Sequence, residues 1–281
     1  MKKSHNKRLL ALASILPVVV FLAGCASKKP ITAHSTGFWD HYVVWNVVRA
    51  IEGLSHIFGN NYGWGIVVFT IIIRIIILPL MIFQLRSSRK MMELQPQIKE
   101  LQKKYPGKDA ESRQKLAAAQ QKLYQDAGAN PMVGCLPLLI QMPVLYALYQ
   151  AIYRSPVLKS GAFLWTQLGS KDPYFILPIL AALFTYLTSK LSMMSQPESN
   201  TMTTTMTYAM PVMIFVMALN LPSALTLYWV VTNAFSALQT LLFNNPYKIR
   251  AERDAKVQAE KDRKRKLAKA KRRALRNRKK K

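Results

Sequence analysis

Long apolar stretches alternate with strongly polar ones along this chain of 281 residues. The longest apolar stretch, residues 66–83, has the length that a helix needs to cross a hydrocarbon layer. Four further stretches of similar character follow it. The pattern therefore predicts an all-α polytopic membrane protein with five transmembrane helices, at residues 62–84, 131–153, 173–192, 205–221 and 224–243.

Residues 1–24 have the features of a secretory signal peptide. Lysine and arginine precede an apolar segment at residues 9–22, which is too short to be a comfortable span. The segment ends in Leu22-Ala23-Gly24-Cys25, which resembles a bacterial lipoprotein box. In such a box the cysteine thiol receives a diacylglycerol, so Cys25 is predicted to anchor residues 25–61 on the outer face of the membrane. The alternative is an ordinary signal peptide in which Cys25 is incidental.

An amphipathic helix is predicted within this outer segment, over residues 38–58. Its apolar residues recur at helical spacing at Trp39, Val43, Val47, Ile51, Leu54 and Phe58. Such a helix can lie in the outer membrane interface, with its aromatic side chains at the level of the lipid headgroups. It can also pack on the helical bundle, and the pattern does not separate the two.

Residues 85–130 are strongly polar and are predicted to form a hairpin of two antiparallel amphipathic helices. Tyr105-Pro106-Gly107 breaks the helical pattern between them, and Pro96 is expected to kink the first. The apolar residues that form the shared seam are Met91, Leu94, Ile98, Leu101, Tyr105, Leu116, Ala119, Leu123 and Ala127. So thin a seam predicts a marginally stable element, which serves either to dock partners or simply to connect two spans.

Basic residues concentrate in this hairpin and in the C-terminal tail at 244–281. The predicted outer loop at 154–172 contains three, and a short loop at 193–204 joins the third and fourth spans. The positive-inside rule therefore places the hairpin, the short loop and the tail in the cytoplasm, and the N-terminus outside. The tail holds 18 Lys and Arg, more than topology requires, which favours binding to anionic lipid headgroups or to the RNA phosphates of the ribosome.

Composition narrows the class of protein further. A net charge of +27 together with 51% hydrophobic residues is unusual for a soluble protein and typical of a membrane protein with basic cytoplasmic parts. The sequence contains no phosphate-binding glycine loop, no His/Cys spacing typical of a metal site and no Ser/His/Asp set in a shared context. We therefore predict a protein that is not an enzyme, with no catalytic residues, no metal and no cofactor.

Arg74 lies at the centre of the first span, where a guanidinium costs roughly 2.5–3.5 kcal/mol on insertion scales and keeps its proton. The predicted spans contain no Asp or Glu that could pair with it. Thr70 one turn earlier, Gln141 on the second span and a polar stripe on the fifth predict a water-filled recess around Arg74. The stripe consists of Thr226, Trp229, Asn233, Ser236 and Thr240. Alternatively, these side chains join transmembrane helices through hydrogen bonds.

Three segments resemble the YidC/Oxa family of membrane protein insertases, and the resemblance extends over residues 38–245. They are MMELQPQIKELQKKYPGKD in the hairpin, LYQDAGANPMVGCLPLLIQMPVLYALY leading into the second span, and LPSALTLYWVVTNAFSALQ in the fifth. The run NPMVGCLPLLIQMP is the most specific part. The lipoprotein box, and the lack of a large outer domain after the first apolar segment, are similar to the Gram-positive type of member.

The resemblance implies a hydrophilic groove that is open to the cytoplasm and to lipid but closed outside. Arg74 matches the arginine of that groove, and Gln141, Trp229 and Asn233 lie in matching motifs, which makes them, with Thr70, the predicted substrate-binding residues. The implied function is insertion of nascent membrane proteins into the bacterial plasma membrane, alone or with the Sec translocon. On this hypothesis the tail and hairpin bind the ribosome, and the apolar helix of the substrate slides along the outer surface of the third and fifth spans into lipid.

Two other functions compete with this one, a small-solute transporter and an assembly scaffold. A transporter commonly uses intramembrane carboxylates or inverted repeats, and the sequence shows neither. The residues alone do not distinguish a scaffold from an insertase, whereas reconstitution with a single-span substrate would.

Overall fold

The structure is a computed structural model that describes residues 29–107, 109–196 and 201–278. The predicted signal peptide and Cys25 lie outside these residues. The described chain is mostly helical, which confirms the predicted class at that level. Its α-helices are α1 (Trp45–His56), α2 (Tyr62–Glu93), α3 (Gln95–Lys104), α4 (Ala110–Asp126), α5 (Leu136–Arg154), α6 (Pro156–Ser160), α7 (Ile176–Met194), α8 (Thr201–Ala218), α9 (Ser223–Phe243) and α10 (Pro246–Arg278).

Three smaller elements complete the described chain. A π-helical turn, Trp39–Val44, precedes α1, and a 3-10 turn, Pro131–Cys135, precedes α5. Two short strands, β1 (Ala162–Phe163) and β2 (Thr166–Gln167), pair antiparallel in the outer loop. The expectation of an all-α fold therefore needs this small correction.

Four helical regions of the described chain are long and apolar enough to cross a membrane by length and composition. They are Tyr62–Glu93, Met132–Arg154, Ile176–Met194 and the region that begins at Ser223. The fourth predicted span corresponds to a shorter apolar helix, Thr204–Ala218, which lies within α8. The number of five spans therefore stays a prediction.

The first predicted span and the start of the first arm of the hairpin form one continuous helix, because α2 runs through Pro79 as far as Glu93. The residues after position 84 include no glycine or proline before Glu93, so nothing in them ends the helix at the boundary that we predicted. The next helix, α3, follows Leu94 directly and has Pro96 in its first turn, where it does not kink the helix as expected. Proline is tolerated there because first-turn N–H groups have no partner within the helix.

The hairpin of α3 and α4 is held by the thin seam that the spacing predicts. Ile98, Leu101, Leu116 and Leu123 are half-buried, and neither helix contains a fully buried residue. With so little apolar area buried, we expect the hairpin to open more easily than the bundle.

The outer loop is more structured than the predicted connection at 154–172. Arg154 is not a loop residue, because it ends α5 and is buried. The Asp172 carboxylate accepts hydrogen bonds from the backbone N–H groups of Tyr174 and Leu177, at 3.1 and 2.7 Å. These bonds satisfy donors at the start of α7, which begins at Ile176, later than the predicted residue 173.

The long helices pack in the order α8, α7, α9 and α2, with α5 at the side of this row and α1 across α2 and α5. The apolar core lies where α2 and α9 begin and α5 ends, which is the predicted outer end of the bundle. Its largest fully buried side chains include Ile51, Ile66, Leu148 and Ile152. The outer half of the bundle is therefore the tightly packed half.

The amphipathic helix packs on this core. Val44, Val48, Ile51 and Ser55 are buried, and Gly65 of α2 permits the close approach, since a Cβ there would collide with Ser55 and Ile51. Ile51 is common to this face and to the apolar face predicted from spacing, and Trp39, Val47 and Leu54 of the predicted face are half-buried against the same core. Three large apolar side chains still point outward, exposed by 70%, 64% and 73%, at Phe38, Tyr42 and Ile57. The helix thus packs on the bundle, which is one of the two predicted alternatives, and its exposed apolar side chains remain available to contact lipid.

Candidate functional site

A cavity of about 550 Å³ lies among the long helices α2, α5, α7, α8 and α9. Along α2 its lining extends from Thr70, next to the apolar core, to Leu85, near the hairpin. The cavity thus occupies the half of the bundle that the outer core does not fill. All the predicted groove residues line it: Thr70, Arg74, Gln141, Trp229 and Asn233.

Arg74 is half-buried and is joined to the cavity wall by hydrogen bonds. Its Nη2 donates to Oε1 of Gln141 at 3.2 Å, and Nε2 of Gln141 donates to the hydroxyl of Tyr228 at 2.6 Å. These side chains come from α2, α5 and α9, so one hydrogen-bonded chain connects three helices. The spacing arguments missed Tyr228, because an aromatic residue in an apolar helix gives no signal of its own.

Arg74 is the only charged residue among the described residues that line the cavity. No acidic side chain in the described ranges lies within ion-pair distance of it. Its positive charge therefore has an amide partner but no counter-charge, which makes the cavity attractive to a negatively charged guest.

The polar side chains of α9 bond mainly to their own helix. Asn233 donates from Nδ2 to the carbonyl of Trp229 at 3.0 Å, and the hydroxyls of Ser236 and Thr240 donate to carbonyls one turn earlier, each at 2.8 Å. Thr70 on α2 makes the same kind of bond at 2.6 Å. The donors are thereby satisfied, while the side-chain oxygens remain acceptors in the cavity wall.

Few residues of this polar stripe on α9 form hydrogen bonds with another helix. The hydroxyl of Thr188 on α7 donates to the carbonyl of Asn233 at 3.1 Å. Thr232, by contrast, is 7% exposed, lines the cavity and has no hydrogen-bond partner for its hydroxyl in the described chain. A buried hydroxyl without a partner costs free energy unless water bonds to it. For the stripe on α9 this supports the predicted wetted recess, whereas Gln141 joins helices through hydrogen bonds, as the alternative expects.

An apolar crevice of about 210 Å³ adjoins the cavity between α5 and the hairpin of α8 and α9. Leu145 and Trp229 line both spaces. The remaining lining residues of the crevice are Met142, Tyr146, Tyr149, Met217, Leu221 and Leu225.

The crevice lies between α5 on one side and α8 and α9 on the other. The helices of the third and fifth predicted spans, α7 and α9, pack extensively against each other. The expected route along the outer surface of those two spans stays a prediction, and the crevice adds a second candidate route beside α5.

The described chain has helices long enough to cross a membrane, and they surround a polar cavity that contains Arg74 and adjoins an apolar crevice. These features define a multi-pass membrane protein with a polar groove. A family described as 60Kd inner membrane protein matches residues 53–252. The chain is 59% identical over 254 residues to Membrane protein insertase YidC of Pediococcus pentosaceus, with 90% of this chain and 91% of that protein covered. The chain belongs to the YidC/Oxa family, as its three characteristic segments predicted.

Two further comparisons agree with this assignment. Membrane protein insertase YidC 2 of Lactiplantibacillus plantarum is 60% identical over 250 residues, which cover 89% of this chain and 90% of that protein. The fold is similar to a solved structure described as Active YidC insertase crystal structure with the first transmembrane domain resolved, with a TM-score of 0.58 and 31% sequence identity. That match covers 73% of this chain but 47% of the solved one, so it spans about half of the latter.

Proposed function

We propose that this protein is a membrane protein insertase of the bacterial plasma membrane, which accepts nascent membrane proteins from the cytoplasm and releases their helices into lipid. The observation that carries the proposal is the chain of Arg74, Gln141 and Tyr228 in a cavity beneath the packed outer core. A cation inside the cavity that has no acidic partner in the part of the chain that the structure describes favours binding of a substrate segment that is itself negatively charged. A short acidic segment next to a substrate helix has this property.

The substrate segment enters from the end of the bundle that carries the hairpin and the tail. Gln84, Ser192 and Thr240 extend the polar lining of the cavity toward that end. The polar wall shortens the apolar distance that the segment has to cross. Attraction to Arg74 is stronger there than in water, since the surrounding dielectric is lower, and the membrane potential acts on the same acidic residues.

The apolar helix of the substrate leaves through the crevice between α5 and α8. Leu145 and Trp229 border both the cavity and the crevice, so a guest can keep its polar segment near Arg74 while its apolar segment meets lipid. Met142 and Met217, exposed by 48% and 43%, suit guests of different shape because methionine is unbranched and flexible. Transfer of apolar surface out of water drives the step without a nucleotide.

The tail divides into a part that contacts the bundle and a part that is available to partners. Arg253 donates to the carbonyl of Gln196 at 2.6 Å, and Arg89 pairs with Glu252 at 3.2 Å. The acidic residues of the tail all lie at or before Asp262, and 13 Lys and Arg follow it. This distal part, with the hairpin, is suited to the ribosome and to anionic lipids. Cooperation with the Sec translocon is proposed on the family resemblance alone.

Reconstitution tests the proposal against the transporter and the scaffold. The purified protein in liposomes is given a single-span substrate with an acidic outer segment, and insertion is measured as protection from an added protease. We expect protection above that of empty liposomes. A scaffold would give no protection, and a transporter would give solute flux without protection.

Site-specific crosslinking tests where the substrate lies. A photoreactive residue replaces Ser236, which lines the cavity, or Leu238, which lies on the same helix but is 54% exposed outside it. Stalled nascent chains should be captured at Ser236 and not at Leu238. Equal capture at both positions would contradict entry into the cavity.

A further inference from the structure

Arg154 at the end of α5 makes the most extensive set of side-chain hydrogen bonds outside the cavity. Its guanidinium binds both carboxylate oxygens of Asp40, with Nη2–Oδ2 at 2.6 Å and Nη1–Oδ1 at 2.9 Å. Nε donates to the carbonyl of Lys29 at 2.8 Å, and Nη1 also reaches Oε1 of Gln150 at 3.3 Å. The Arg154 and Asp40 side chains are only 2% and 15% exposed. All three guanidinium nitrogens therefore donate hydrogen bonds, and two of them form a buried, bidentate pair with the Asp40 carboxylate.

These bonds join three separate parts of the chain at the outer end of the bundle. Asp40 belongs to the π-helical turn before α1, and Lys29 lies in the segment before that turn. The backbone carbonyl of Arg154 accepts a further bond from the N–H of Ile31 at 3.2 Å. The outer end of α5 is thus attached to the amphipathic helix and to the N-terminal segment at once.

The remainder of α5 is joined to α2 and α9 chiefly by the hydrogen bonds of Gln141 with Arg74 and Tyr228. Its inner half exposes Leu138 and Leu139 by 62% and 67%. Its packing against α2 and α9 is slight, whereas α7 packs extensively against both α8 and α9. The crevice lies on this loosely packed side, between α5 and α8. The position of α5, and with it the width of the crevice, therefore depends on how its outer end is attached.

We propose that Arg154 is a positioning residue that holds α5 at its outer end and so sets the width of the lateral crevice. Neutralising Arg154 leaves the Asp40 carboxylate buried without its cation, and the two elements then separate to hydrate it. Apart from the hydrogen bonds of Gln141, α5 packs only slightly against α2 and α9, so this separation tilts α5 away from α8. The inference rests on the proposed function only in treating the crevice as the lateral exit.

Spin labels across the crevice measure this directly. The labels replace Met142 on α5 and Met217 on α8, in a full-length chain whose Cys25 and Cys135 are replaced by Ala, and the distance is measured by pulsed electron resonance in nanodiscs. Arg154→Gln should shift the distance distribution to longer values and broaden it. Arg154→Lys keeps the charge but lacks the planar fork, so a smaller shift is expected. The charge-exchanged pair Arg154→Asp with Asp40→Arg should restore most of the original distribution.

Two controls separate positioning from a general loss of structure. Lys171→Gln removes an outer cation that bonds Asn220 at 2.8 Å rather than α5, and should leave the distance unchanged. A second pair of labels, at Leu183 on α7 and Leu238 on α9, reports on the packed row and should not respond to Arg154→Gln. If Arg154→Gln fails to accumulate, Asp40→Asn breaks the same pair from the other side.

An unchanged distance between the labels at 142 and 217 in folded Arg154→Gln protein would overturn the proposal. Equal shifts in both label pairs would overturn it too, because they would show general loosening. The measurement needs no substrate, so it stands apart from the test of insertion. Wild-type protein that fails to insert substrate, with the expected shift in Arg154→Gln, would refute the insertase and leave the positioning role intact.

Discussion

Replacing Arg74 by alanine should selectively impair insertion of substrates with acidic outer segments. Arg74 is half-buried, bonds Gln141 at 3.2 Å and has no acidic partner in the described chain. A substrate carboxylate at about 4 Å would gain ~4 kcal/mol at the effective dielectric of a partly buried site, against ~1 kcal/mol in water. The difference of ~3 kcal/mol corresponds to about a hundredfold in rate or occupancy.

The assay compares two substrates that differ only in charge. Initial insertion rates into liposomes are measured for a single-span substrate with aspartates in its outer segment and for the same substrate with asparagines. Arg74→Ala should slow the acidic substrate by about a hundredfold and the neutral one much less. Arg74→Lys should retain most of the rate on the acidic substrate, because the charge remains.

Arg86→Ala is the matched control, since Arg86 lies on the same helix but is exposed and outside the cavity lining. It should leave both substrates unaffected. The electrostatic reasoning fails if Arg74→Ala inserts the acidic substrate at the wild-type rate. It fails also if both substrates slow equally, because Arg74 would then act on the structure of the groove and not on the charge of the guest.

Three further predictions concern the groove wall, the tail and the hairpin. Gln141→Leu removes a hydrogen bond to a charged group worth about 1.5–3 kcal/mol, so thermal unfolding in detergent should occur at lower temperature and insertion should slow with it. Truncation after Asp262 removes 13 cationic residues and should strongly reduce the salt dependence of ribosome binding while purified protein still inserts substrate. Hydrogen bonds from Ser112 lower the pKa of the Asp109 carboxyl, so hydrogen-exchange protection of α4 should hold above the ordinary aspartate pKa and fall as pH drops through the lowered one. Asp109→Asn should remove this contribution and so weaken the pH dependence of that protection.

Periodicity predicted the helices well and their ends less well. The apolar stretches, the helix break at Tyr105-Pro106-Gly107 and the tight turn before Ser223 all appear in the structure. The continuation of α2 to Glu93 was not predicted, because the membrane boundary and the helix end were assumed to coincide. Contacts of α1 with α2 bury Val48 and Ile51 fully and leave Val47 and Leu54 half-buried against the same core, a division that spacing alone does not predict.

The sequence by itself determined that Arg74 needs a polar environment, because the cost of burying a guanidinium in lipid is a property of the residue and the membrane. The sequence also identified candidate residues for that polar environment, since polar side chains at helical spacing share a face of the helix. The fold alone decided which of them meet: Arg74 bonds a residue 67 positions away, Gln141 one 87 away, and Arg154 one 114 away. Contacts at such separations depend on how helices pack, and no local pattern encodes them. The position of the apolar crevice was decided in the same way, by the slight packing of α5 against the other long helices.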